Sequence, residues 1–166
     1  MSRGFVKEDD QEEAPIIPPR AALPEGVINY VTPEGKKMLE DEKSKLEQEI
    51  SNLSETDERE RRRALAVLDG NLNLLKERLA SARILDPKEQ PEDTVRFGAS
   101  VNYTIQGNSR LLNFKIVGVD EADVQKQKIA FIAPIARAVT GKKVGDEVDF
   151  QLGNENRKIE IRGIKY

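Results

Sequence analysis

With 166 residues, 27 basic and 30 acidic side chains and a formal charge of −3, the chain has room for one domain or two small ones. It is too evenly charged for a uniformly basic nucleic-acid surface. Hydrophobic residues make up 37% against 34% charged, which argues against one large enzyme core, and the absence of cysteine and histidine excludes disulfides, thiolate metal sites and imidazole chemistry.

Residues 1–30 combine an acidic cluster, Glu8 to Glu13, with Pro15, Pro18, Pro19 and Pro24. That mixture propagates neither helix nor strand, so a mostly irregular, mobile or adapting tail is expected, with Ile16, Ile17, Ile28 and Tyr30 leaving room for a part that packs locally. The start runs from Met1-Ser2-Arg3-Gly4-Phe5 directly into Lys7-Glu8-Asp9-Asp10 without an apolar signal core, and no apolar run approaches the roughly 20 residues that cross a bilayer. A cytoplasmic protein without membrane contact is the expectation.

Thr32-Pro33-Glu34 is a helix start: Thr caps exposed amides, Pro suits the first helical position and Glu complements the positive helix end. Leu39, Leu46, Ile50 and Leu53 follow at coiled-coil spacing, with the Lys43 stem in the seam. After the polar stretch Ser54 to Glu58, the residues Leu65, Leu68, Leu72, Leu75 and Leu79 repeat with gaps of three and four and predict a second helix, antiparallel to the first. Gly70 interrupts it at a cost of up to about 1 kcal/mol. Residues 31–86 thus read as a helical hairpin, and the leucines as its mutual core.

Asp86-Pro87-Lys88-Glu89-Gln90-Pro91 halts helix propagation and reads as a hinge between two folding units. From residue 87 to 166 the periodicity becomes that of half-buried strands, in Val95 to Tyr103, Leu112 to Ile116, Ile129 to Phe131, Val148 to Phe150 and Ile159 to Ile161. One short helix, Ala133 to about Thr140, should cover a sheet face. The fold class is α+β.

Five motifs stand in order in this second half: Arg96-Phe97-Gly98-Ala99, Phe114-Lys115-Ile116-Val117-Gly118, Asp120-Glu121-Ala122-Asp123, Pro134-Ile135-Ala136-Arg137-Ala138 and Gly141-Lys142. In that order and spacing the chain from about Val31 to Tyr166 resembles the GreA/GreB transcript-cleavage factors. The resemblance implies an FKBP-like antiparallel β domain behind a coiled-coil finger. It also implies a partner, RNA polymerase, gripped at its β′ subunit while the finger enters the secondary channel. On that resemblance Asp120, Glu121, Asp123, Pro134, Ile135 and Arg137 are the expected polymerase-binding residues.

Cleavage-competent members of that family carry a tip resembling Gly-Asp-Leu-x-Glu-Asn-Ala-Glu-Tyr, whose carboxylates help hold a second magnesium ion. This chain has no such motif; its turn offers Glu55, Asp57 and Glu58. Two readings of these acids stand side by side, helix capping and a metal-directed tip. Composition also makes Asp120, Glu121 and Asp123 a metal candidate, against the alternative of local turn bonds. The arginines that follow the tip, Arg59, Arg61, Arg62 and Arg63, are candidates for contact with RNA or an acidic channel rim, or else a solvated helix face. The finger, about 20 residues per arm, reaches only about 30 Å, shorter than in cleavage factors.

The expectation is therefore a non-enzymatic polymerase regulator with no cofactor, no metal and no small-molecule substrate. Stimulation of the polymerase's own cleavage of backtracked RNA is the alternative. Peptidyl-prolyl isomerase, suggested only by the FKBP-like fold, ranks last, since aromatics are 5% of the chain and Trp is absent.

Overall fold

A computed structural model describes residues 13–166. Of the acidic cluster, Glu8 to Glu12 lie outside the described residues. A two-residue strand β1 (Tyr30–Val31) leads into helix α1 (Pro33–Ser51), and helix α2 (Glu58–Ser81) returns to strand β2 (Arg83–Ile84). Strands β3 (Ser100–Ile105), β4 (Asn108–Val117) and β5 (Lys128–Ala130), helix α3 (Pro134–Val139) and strands β6 (Glu147–Leu152) and β7 (Glu155–Lys165) complete the chain.

The hairpin forms for the reasons legible in its ends. Thr32 Oγ1 accepts from the Gly35 amide at 2.9 Å, with Pro33 in the first turn. Asp57 caps α2 by accepting from the Glu60 amide at 2.9 Å. Leu39, Leu72 and Leu75 are buried between the arms, and Leu46 and Leu79 pack against that cluster. The base is closed by β1 and β2 pairing in parallel, Tyr30 opposite Arg83 and Val31 opposite Ile84. Asn29, 2% exposed, donates to the carbonyl of Arg78 at 3.0 Å, satisfying an orphan acceptor at the end of α2.

The second half is a five-stranded sheet in the order β5-β4-β3-β7-β6. Its pairs are antiparallel except at one edge, where β4 and β5 run parallel because residues 118–127 loop back between them. Val101, Phe114, Ile116 and Ile161 from the sheet pack with Ala136 and Val139 of α3, so the short helix covers one face. The expected strand Val95 to Tyr103 begins only at Ser100. Gly98 turns the chain with φ +87 and leaves room for the Pro87 ring, which a Cβ would meet at 2.7 Å. Val95 instead exchanges backbone hydrogen bonds with Lys142 and Gly141 beyond α3.

Two connecting stretches make packing contacts. Residues 13–29 carry no helix or strand yet lie against the hairpin: Ile17 Cδ1 stands 1.9 Å from where a Cβ on Gly70 would be. The hinge segment contains a 3-10 turn, Pro87–Glu89, capped by Asp86, and seats Pro87 on Gly98. Among the described residues no helix is long and apolar enough to cross a membrane.

Tyr166 ties the end of the sheet to the strand-like entry. Its hydroxyl donates to the Thr94 carbonyl and accepts from the Arg96 amide at 2.8 Å. Burial, the largest cause, holds its phenol above the ordinary value, with the Arg96 amide pulling the other way. Tyr166→Phe should cost about 1–2 kcal/mol in urea unfolding, because the Thr94 carbonyl loses its donor. The neutral phenol is favoured by the fold, so its stabilisation is fully present below the unfolded-state value near pH 10. It is lost as pH rises through the higher folded value. Urea midpoints of the parent and Y166F should therefore converge on going from pH 8 to above pH 10; midpoints that stay equally far apart would contradict this assignment.

Candidate functional site

The chemistry-bearing residues fall into three places: the finger tip, the root where finger meets body, and the outer face around α3. At the tip, residues 52–57 join the arms. Glu55 Oε1 accepts from the Asp57 amide at 3.1 Å, and Asp57 Oδ1 from Glu60. Two of the three tip acids thus serve the turn and the helix start, while Glu58 sits in the first turn of α2, where a negative charge complements the helix dipole. All three are exposed, as are Arg59, Arg61, Arg62 and Arg63. Among the described residues no group of three acids could hold a metal ion.

The root is where two expected partner-binding acids turn inward. Glu121, 6% exposed, accepts from Thr32 Oγ1 at 2.5 Å, from the Thr32 amide at 3.4 Å and from the Gly118 amide at 3.3 Å. Its carboxylate fills the space over the first turn of α1, since a Cβ on Gly35 would lie 2.4 Å from it. Gly118 is equally constrained: a Cβ there would meet the Tyr30 carbonyl at 2.7 Å.

Asp120 works alongside. Its side chain is 6% exposed and pairs with Arg20 at 3.0 Å and with Arg78 at 3.2 Å. Arg20 also grips Glu42 of α1 with two bonds, 2.7 and 3.0 Å. This fork, first the Glu42 bond and then Asp120, raises the guanidinium pKa above its ordinary value against the opposing effect of burial. Tail, both helices and the 118–127 loop therefore meet at four charged side chains.

Asp123 is half-buried and caps a short turn, accepting from the Gln125 amide at 3.1 Å. Pro134 and Arg137 are exposed and Ile135 is half-buried, packed against the core. Arg137 borders a shallow groove with Arg96, Tyr30, Phe97 and Phe131. Few as the aromatics are, these three converge, with ring centroids 5.6–6.0 Å apart. The expected set is thus divided: Asp120 and Glu121 point into the molecule, and Pro134 and Arg137 point out.

Sequence reasoning missed Arg20, Glu42 and Arg78 altogether. It read Thr32 only as a cap, and Gly35 lies in the same first turn. A glycine in the first turn of a helix was the available signal, because helix propensity disfavours it unless something approaches closely.

A helical finger rooted by buried carboxylates on a small β body defines the class of molecule. The family model described as transcription elongation factor, GreA/GreB, C-term, matches residues 90–166. Transcription elongation factor GreB of Neisseria meningitidis serogroup A is 30% identical over 154 residues, covering 83% of this chain and 94% of that protein. Transcription elongation factor GreA of Acidiphilium cryptum is 32% identical over 99 residues, covering 60% of this chain and 63% of that protein, so the match spans less than two thirds of that relative's length. A solved GreA/GreB factor from Nitrosomonas europaea aligns over 82% of this chain and 98% of its own, at 21% identity and TM-score 0.43. The chain belongs to the GreA/GreB family of transcription elongation factors.

Gly35→Ala tests the root. The added methyl must displace the Glu121 carboxylate, and overpacking of that kind costs about 1–3 kcal/mol, although Ala is the better helix former. A urea midpoint unchanged or raised would show that the carboxylate does not occupy that notch.

Proposed function

We propose that the chain is a non-enzymatic accessory factor of RNA polymerase. Its β body docks on the polymerase β′ subunit, and its short finger enters the secondary channel partway, without stimulating transcript cleavage. Family membership supports the polymerase as partner. The observation that carries the non-cleaving part is the tip: Glu55 and Asp57 are engaged as caps instead of standing as a convergent oxygen cluster, which a hard cation such as magnesium requires.

Reach points the same way. Helix α1 has 19 residues, about 28 Å at 1.5 Å per residue. The match to the Neisseria GreB runs over 154 positions while taking in 83% of this chain, which is fewer than 154 of its residues. That relative therefore carries segments without a counterpart here.

The docking face in this reading comprises the exposed pair Pro134 and Arg137, together with Ile135 and Asp123. Asp120 and Glu121 contribute from within, by fixing the loop and the finger that rises from it. Arg59, Arg61, Arg62 and Arg63 meet the channel's acidic rim or the phosphates of nascent RNA by charge-assisted bonds.

Purified protein should bind core polymerase, and Pro134→Ala with Arg137→Ala should weaken binding at least about tenfold, equivalent to about 1.4 kcal/mol. In a backtracked complex with magnesium and end-labelled RNA, addition of the protein should leave the cleavage rate unchanged. Accelerated cleavage that disappears in Glu58→Ala would establish the cleavage-factor alternative, and absence of polymerase binding would reject both.

A further inference from the structure

The segment before β1 follows the finger along its length. Glu13 to Pro15 border a groove with Arg59, Arg63 and Ala66 in the first turns of α2. Ile17 then fills the notch left by the missing side chain of Gly70. Arg20 follows, clamped between Glu42 on α1 and Asp120 on the body, and Arg78 near the end of α2 donates to the next carbonyl, that of Ala21. The segment therefore runs parallel to α2, from the tip end to the root.

Its length matches that course with little slack. From Arg59 to Arg78 the helix rises about 28 Å at 1.5 Å per residue, while Glu13 to Ala21, fully extended, spans at most about 28 Å. Pro15, Pro18 and Pro19 hold such a segment extended, and an extended proline-rich run behaves as a semi-rigid spacer. A taut strap joined to α1 and the body by the Arg20 guanidinium, and to α2 by Arg78, resists tilting of the finger in a way that its two-residue β1–β2 base cannot.

We propose that residues 13–23 are an intramolecular strap that fixes the angle between finger and body, with Arg20 as its positioning residue. Gly70 is the matching notch on the finger. Loss of the strap leaves both helices and the sheet folded but lets the finger swing about the Thr32–Glu121 contact. The consequence for transcription rests on the reading above, since finger angle decides where the tip arrives. The geometry itself is read on the free protein, so its failure is distinguishable from a failure to bind polymerase.

Because the chain has no cysteine, Ser54→Cys at the tip and Ser109→Cys on the body accept spin labels cleanly. The parent should give one narrow tip-to-body distance distribution, at least doubled in width by Arg20→Ala, with Arg20→Lys in between. Gly70→Leu reaches the strap without touching a charge and adds helix propensity to α2. It should raise the rate of tryptic cleavage at Arg20–Ala21 at least tenfold while the helical circular dichroism holds. If Arg20→Ala keeps native circular dichroism and a distribution as narrow as the parent's, or if Gly70→Leu leaves cleavage at the parent rate, the strap does not set the angle and the proposal falls.

Discussion

The structure depends on one buried carboxylate. Glu121, at 6% exposure, would be costly to desolvate alone, because an ion moved from water into protein loses several kcal/mol of hydration. It is held because three donors converge on it, the Thr32 hydroxyl, the Thr32 amide and the Gly118 amide. It also lies at the positive end of α1, where the helix dipole favours negative charge. Bonds to an ionised acceptor are about twice as strong as neutral ones. Gly35 and Gly118 have no side chains because the carboxylate and the Tyr30 carbonyl occupy their Cβ positions. The acid thus explains the glycine of the helix start, and the Tyr30 carbonyl the glycine of the loop that faces it.

Leverage explains why this root is so heavily built. An arm about 28 Å long that pivots 10° at its base moves its tip about 5 Å, more than the length of a hydrogen bond. A two-residue parallel pair such as β1–β2 gives little resistance, since isolated two-stranded pairings are marginal. The carboxylate, the Asp120–Arg20–Glu42 fork and the Arg78 contact act at separate points around the base. Constraint at several points is what turns a hinge into a fixed joint. The same logic gives the loop between β4 and β5 its structural role: with Asp120 and Glu121 facing inward, it is the seat of the finger.

Local rules reached most of the fold and almost none of this joint. Thr32-Pro33-Glu34, the leucine repeats and the strand alternation each encode structure within a few residues of themselves, so α1, α2 and the strands from Ser100 onward could be read directly. Asp120 and Glu121 carry no such local code. Two acids in a turn suit capping, metal binding or a partner surface equally well, and only the approach of Thr32, Arg20 and Arg78 from distant positions selects among them. Gly70 shows the same limit from the other side. Within its own helix it is a propensity cost, and its use emerges only when Ile17, 53 positions earlier, is laid across it. The segment after α2 shows a related limit: Pro87 does stop a helix, and its ring then packs on Gly98, a contact that no local pattern signals.

Tip and root are finally one argument. A carboxylate directs a metal when its lone pairs point outward and converge with others, and it stabilises a turn when they point back to its own amides. Glu55 and Asp57 point back. At the root the acids also reach across: Asp120 pairs with Arg20 and Arg78, and Glu121 accepts from Thr32 as well as from Gly118 of its own turn, so both become structural ties between finger and body. Acid placement in this chain therefore strengthens the scaffold at both ends of the finger. Exposed arginines follow these acids in Arg59, Arg61, Arg62 and Arg63, and another, Arg137, stands beside the aromatic groove.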